Sequence, residues 1–466
     1  MTAQFLIQRP PGRIAVLGGL CFFAAFRLLA AAPAYSSLAD VRPVLEQPAE
    51  RLPTELHNAD APKWSAFARQ RDRAIRSRLE QGDLDSMVNL LLYGTSFTNQ
   101  PRVLMEHLTE ASKSGVLRAR VDALVAGLRN PGNNQRLVFL QHLLRNRGID
   151  PNDARESGTF LYTNLLRIVQ ERKMLADRAA AASPVARADD PASLLDRASL
   201  FEQRGVSLDT GIFPEFTVEQ TLRDLKQRGV LREGQVARVA VIGPGLDFID
   251  KNEESAYDYY PQQTVQPFAL YDSLVRLGLA KNNAMSVSIL DISTRVLQHV
   301  RQARILAAKK SGYVIQLPRD VARPWPEGLI AYWRAFGDQV GAAVAPIRPP
   351  AIFPGLETRA VRVRPDVVLA CEPADLDIIV QHLNLAATER FDLIVGTNVF
   401  VYYDSFEQSL ALENTGAMLK PGGLLLTNDR LPEVRGGSMR LAGVTVVPFE
   451  APGVSARQAI GWYRKQ

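Results

Sequence analysis

The stretch FDLIVGTNVFVYYDSFEQSLALENTGAMLKPGGLLLTND (391–429) holds the clearest fold signal in this chain. It opens on an apolar run, FDLIV, of the kind that suits a buried strand. A polar tip follows at Gly396-Thr397-Asn398, and then a segment whose apolar residues recur at helical spacing. Lys420-Pro421-Gly422-Gly423 ends that helix and turns the chain into a second apolar run. Strand, polar tip, helix, turn, strand is the repeating unit of a parallel sheet, whose strands need a crossover between them.

The same grammar extends outward. TVEQTLRDLKQRGVL (217–231) reads as an amphipathic helix capped by Thr217, with Glu219 close behind. Strand-like runs follow it: VARVAVIG, SVSILDI, YVIQL and DVVLAC before residue 391, GVTVVPFE and AIGWYRK after residue 429. Helical segments between them imply an α/β fold, a Rossmann-like, doubly wound and mostly parallel sheet covered on both faces. Ligands of such sheets lie at the carboxyl ends of the strands, where strand order reverses. VAVIGPGLDF (239–248) ends one of these runs at Gly243-Pro244-Gly245. Alone it is either a tight turn or the lip of a nucleotide site.

The 391–429 block resembles class I S-adenosylmethionine-dependent methyltransferases. The matching elements are Phe391-Asp392, Asn398-Val399 and the turn Leu419 to Gly423, and the resemblance covers about residues 215–466. It implies S-adenosyl-L-methionine as cofactor and a closing strand pair, GVTVVPFE and AIGWYRK, with the last strand antiparallel. It assigns Gly243 and Gly245 to close cofactor approach and Asp291 to the ribose hydroxyls, with a helix N-cap as the alternative for Asp291. Glu372, Asp375 and Asp377 compete for the adenine amino group, and Asp375 reads equally as the cap of a helix over DLDIIVQHLNLA. Asp247 is either a cofactor ligand or a helix cap. Asn398 falls at the cofactor, and Tyr402 and Tyr403 fall where a substrate would lie, unless they only pack.

The chain departs from the pattern in places. Val241 stands where an acid is usual, and Asp247 where a third glycine is. Asp291 lies 46 residues beyond Gly245, against a spacing of about 20 in such units. The excess is a polar and aromatic insertion at about 249–267, read as a lid or substrate loop. A second insertion, about 318–360, carries the Pro- and Trp-rich LPRDVARPWPEGLIAYWRAF and reads as a packed cap.

The N-terminal half differs in kind. Residues 62–178 show apolar residues at helical spacing throughout and read as five or six helices, with linkers at 35–61 and 179–214. The arginines at 69, 71, 73, 76, 78, 118 and 120 lack interleaved aromatics and read as a solvated helix face. Arg9 and Arg13, the apolar run IAVLGGLCFFAAF (14–26) and Ala32-Pro33-Ala34 form a signal-peptide pattern over 1–34. Arg27 interrupts it, so an uncleaved membrane anchor is the alternative. Either way the body of the protein is expected outside the cytoplasm.

Composition excludes some chemistry. The net charge of +6 with 46% hydrophobic residues describes an ordinary globular chain without a nucleic-acid signature. The five histidines and two cysteines show no metal-ligand spacing. His299 and His382 are expected on helical faces. No acid/base pair stands out, and methyl transfer does not require one, since the sulfonium is already activated and alignment supplies much of the rate. The methyl acceptor, small molecule or protein, has no signature here. Two rivals remain: a dinucleotide oxidoreductase, which the PGG turn does not fit, and an exported non-catalytic scaffold that keeps the fold.

Overall fold

The computed structural model describes residues 32–103, 110–181, 211–247, 257–451 and 454–466. The chain starts with a short strand β1 (Pro33–Tyr35) and a one-turn helix α1 (Arg42–Leu45), then enters the long helix α2 (Ala61–Tyr93). Asp60 caps α2 by accepting the Lys63 N–H, and Pro62 sits in its first turn, where no N–H is needed. Helices α3 (Glu110–Arg129), α4 (Gln135–Arg145) and α5 (Ala154–Ala181) complete the helical half. They pack around α2 through one apolar cluster, in which Met87, Leu91, Leu124, Leu140, Leu144 and Leu161 are all fully buried.

The α/β half begins with α6 (Ile212–Gln227) and runs β2 (Arg238–Ile242), α7 (Gln266–Arg276), β3 (Ser286–Asp291) and α8 (Thr294–Ala308). Next come β4 (Tyr313–Asp320), α9 (Glu327–Ala335), β5 (Gly341–Val344), β6 (Leu356–Val363) and α10 (Pro365–Ala370). The remainder is β7 (Cys371–Asp375), β8 (Gln381–Leu383), β9 (Phe391–Val395), α11 (Ser405–Met418), β10 (Leu419–Thr427), β11 (Met439–Ala451) and β12 (Val454–Lys465).

The principal sheet has seven strands in the order β7-β3-β2-β9-β10-β12-β11. The first five are parallel, and β12 runs antiparallel to both of its neighbours. Both faces are covered, so the strands are apolar along their length, as in β2, where Val239 to Ile242 are all buried. The expected Rossmann-like sheet with an antiparallel last strand is therefore present. The order reverses between β2 and β9, so the crevice at the carboxyl ends of these two strands is the switch point.

Several elements differ from the sequence reading. YVIQL lies not in the principal sheet but in a separate three-stranded sheet, β4-β6-β5. DVVLAC is mostly helix α10, because Pro365 starts a helical turn and the pairing with β3 begins only at Cys371. No helix forms over DLDIIVQHLNLA; β8 pairs there with β1, so His382 is on a strand. Thr217 lies inside α6, its hydroxyl donating to the Phe213 carbonyl, and is not its cap. Residues 33–57 are not a free linker: Ser36 donates its N–H to the Val380 carbonyl, and Val41, Val44 and Leu56 are buried in the α/β core. Residues 61–93 form one helix, continuous through Gly82. Residues 1–31 of the signal segment expected over 1–34, and residues 182–210 of the joint expected over 179–214, lie outside the described residues, whereas Pro33 and Ala34 are in β1.

Candidate functional site

The carboxyl ends of β2, β3, β7 and β9 carry most of the residues singled out from sequence. Gly243, just past β2, has φ +60° and Gly245 φ +68°, the left-handed region that favours glycine. A Cβ at Gly243 would stand 2.9 Å from Val399 Cγ2, so a residue beyond the tip of β9 fills the space over this turn. No helix opens directly behind the turn among the described residues; α7 begins at Gln266. Asp247 stands at the end of this turn. It accepts hydrogen bonds from Tyr260 Oη at 2.6 Å and Gln263 Nε2 at 3.1 Å.

Asp291 ends β3, opposite Asp375 at the end of β7. Its Oδ1 accepts the Ser293 N–H at 2.7 Å, while Oδ2 is buried and has no hydrogen-bond partner among the described residues. Ser293, not Asp291, caps α8. Burial, and secondarily the nearby Asp375, pushes the Asp291 carboxyl up to about 7. Asp377 is also fully buried; its Oδ1 accepts the Ile379 N–H, and desolvation together with Asp72 raises it as well. Glu372 does not reach this edge. It lies three register positions below the tip, opposite Ser288, and pairs with Arg304 of α8.

Asn398 has φ +59° and exchanges hydrogen bonds with Asn428 past the end of β10, at 2.8 and 2.9 Å. Tyr402 and Tyr403 are 6% and 3% exposed, which makes them packing residues in this conformation and not an open substrate wall. His299 meets Tyr313 Oη at 2.8 Å, and burial lowers it to about 4, so it is neutral.

The feature missed in the sequence is α2. Its first half lies across this edge, with Trp64, Phe67, Ala68 and Ile75 packed in one core with Ile242, Leu290 and Phe400. Arg76 pairs with Asp72 at 2.7 Å and with Asp375 at 2.8 Å, and donates to the Ile292 carbonyl. Arg78 donates to the Tyr402 carbonyl at 2.6 Å, Arg71 pairs with Glu407, and Leu79 packs on Leu246 and Val296. Of the arginines read as a solvated face, Arg69, Arg73 and Arg118 are exposed, whereas Arg71, Arg76 and Arg78 make these contacts and Arg120 is buried in the helical half, donating to the Leu91 carbonyl. A signal was there to find: Trp64, Ala68, Asp72, Ile75 and Leu79 share one helical stripe, and a carboxylate inside an apolar stripe marks a polar partner across the interface.

The described part of the first insertion, from Tyr257 on, is clasped to the helical half. Asp258 accepts from the Thr95 and Ser96 N–H groups at 2.9 and 2.8 Å and from the Thr95 hydroxyl, just after α2 ends. Arg136 of α4 donates to the carbonyls of Tyr260 and Asp247, and Arg102 lies over the Tyr257 ring. Among the described residues no His/Cys/Asp/Glu group is arranged to hold a metal, and no helix is long and apolar enough to cross a membrane.

No protein-family model and no curated protein sequence matches the chain. Solved structures do. TrmN from Thermus thermophilus is 13% identical over 55% of this chain and 52% of its own, with a TM-score of 0.25. The glycopeptide N-methyltransferase MtfA with S-adenosyl-L-methionine is 12% identical over 53% and 66%, TM-score 0.22. The mitomycin 7-O-methyltransferase MmcR is 12% identical over 86% and 97%, TM-score 0.27. The match thus spans about half of the TrmN chain. TM-scores of this size carry no argument about the site; the strand order and the antiparallel β12 carry the fold. The α/β half has the class I methyltransferase fold.

Proposed function

We propose that the α/β half binds S-adenosyl-L-methionine at the carboxyl ends of β2 and β3 and acts as a methyltransferase. The observation that supports this reading is Asp291. A buried carboxylate with one oxygen unpartnered costs about 1–3 kcal/mol, which a ribose hydroxyl donating to Oδ2 would recover. Gly243 and Gly245 would bring the β2 end close to the ligand, and Asp375, once released by Arg76, would face the adenine side. Asp247 and Asn398 would act indirectly, by fixing the loops on either side of the crevice. The bound cofactor supplies a methyl group already activated on sulfur. The chain's own work is to orient that group and keep water out, and α2 already closes the edge.

A second reading, a non-catalytic scaffold that keeps the fold, is favoured by Val399 over Gly243 and by the α2 contacts, since both fill space a cofactor would take. Calorimetric titration of the full chain with S-adenosyl-L-methionine and S-adenosylhomocysteine, with NAD as control, separates the two. Saturable binding of the first two alone supports the methyltransferase reading; heat from none of the three leaves the scaffold. Export rests on the pattern over residues 1–34 and belongs to this proposal. Cell fractionation with N-terminal sequencing tests it, and an intact N-terminus in the cytosolic fraction would remove it.

A further inference from the structure

At the opposite, amino-terminal edge of the sheet, a groove of about 410 Å³ opens between residues 39–43 and the α/β half. Two cations line it, Arg390 just before β9 and Lys465 at the end of β12. Neither forms an ion pair with any described residue, and Arg390 Nε is buried without a hydrogen-bond partner among them. Burial lowers the Lys465 ammonium, with Glu413 opposing and Arg390 adding to the fall.

The acids of the groove are already engaged. Glu413 accepts the Ser438 N–H with both oxygens at 3.1 Å, and Asp40 accepts from the Ser37 N–H and hydroxyl at 2.7 Å and faces His382. The donors left over are therefore a guanidinium fork and an ammonium turned to the same cavity. Arg presents a planar fork that matches carboxylate and phosphate oxygens, and Lys adds a point charge.

We infer that this groove is a binding site for a small anion with a carboxylate or phosphate head, held between Arg390 and Lys465. It is separate from the carboxyl edge and independent of any cofactor bound there. The planar Arg390 guanidinium gives the site its orientation, and the Lys465 charge gives it its sign preference.

The test is calorimetry on the full chain at constant ionic strength, with inorganic phosphate in one arm and succinate in the other, and chloride as control. Saturable binding in either arm is expected, and the arm that binds identifies the head group. Arg390→Gln and Lys465→Gln should each weaken binding at least tenfold, with Arg390→Lys weakened less than Arg390→Gln. Melting curves of the unliganded variants check folding, and Arg390→Gln suffices if Lys465→Gln does not fold. Binding no stronger than chloride in both arms, or affinity unchanged in the folded variants, overturns the inference.

Discussion

Among single residues, Gly243 and Asp291 matter most to the proposed site. Gly243→Ala would force a side chain into φ +60° and against Val399. We expect it to cost about 1–3 kcal/mol in urea unfolding. Adding Val399→Ala should recover only the steric share, because the backbone strain stays; a neutral Gly243→Ala would contradict this. Asp291 predicts a pH effect. Its folded-state value, about 7, lies above the ordinary 3.8. Between these pH values the unfolded chain has lost a proton that the folded chain keeps, so folding stability contributed by this group falls as pH rises from about 4 to 7 and is flat above. Asp291→Asn should remove that slope, seen by comparing unfolding curves of both proteins at pH 4.5 and 7.5; parallel slopes would refute it. Both residues stand out in the sequence because they close strand-like runs, although glycine in a turn and aspartate at a helix start are common without a ligand. Glu372 did not separate from Asp375, because which one sits at a tip depends on where pairing with β3 starts, and Pro365 moved that start to Cys371.

One level up, among the secondary-structure elements, α2 governs access to the carboxyl edge. Arg76→Ala removes its pairs with Asp375 and Asp72 and its bond to the Ile292 carbonyl. If α2 must yield for a ligand to enter, this variant should bind S-adenosyl-L-methionine several-fold more tightly in calorimetry, while weaker binding would make Arg76 part of the site. The clasp is a second element with a measurable role. Asp258→Ala strands the Thr95 and Ser96 N–H donors and should destabilise by about 2–3 kcal/mol in urea unfolding; a loss within experimental error would show the insertion to be merely apposed. The strands of the principal sheet other than β7 were legible because β-branched and aliphatic runs between turns leave little choice. YVIQL has the same composition but pairs elsewhere, since strand partners are set by long-range packing that periodicity does not encode. The clasp is not legible in the insertion, read as a lid or substrate loop, because its partners, at 95, 96 and 136, are distant in sequence.

Across the molecule as a whole, α2 joins the two halves. Its first half is in the core beneath β2 and β3, through Trp64, Phe67 and Ile75, and its second half is in the helical core, through Met87, Val88 and Leu91. The two halves should therefore unfold in one calorimetric transition, and two separated transitions would contradict that coupling. The sequence divided the chain into a helical domain and an α/β domain because the composition changes between them. It did not show that one helix belongs to both, since Gly82 reads as a stop and is instead buried mid-helix. Whether Asp291 closes a cofactor site is decided by titrating S-adenosyl-L-methionine into the full chain and into Asp291→Ala at pH 6 and pH 8. Binding should be tighter at pH 8, because the acceptor must be ionised, and the variant should bind at least tenfold more weakly at pH 8. Equal affinity of the two proteins at both pH values would contradict the proposed role.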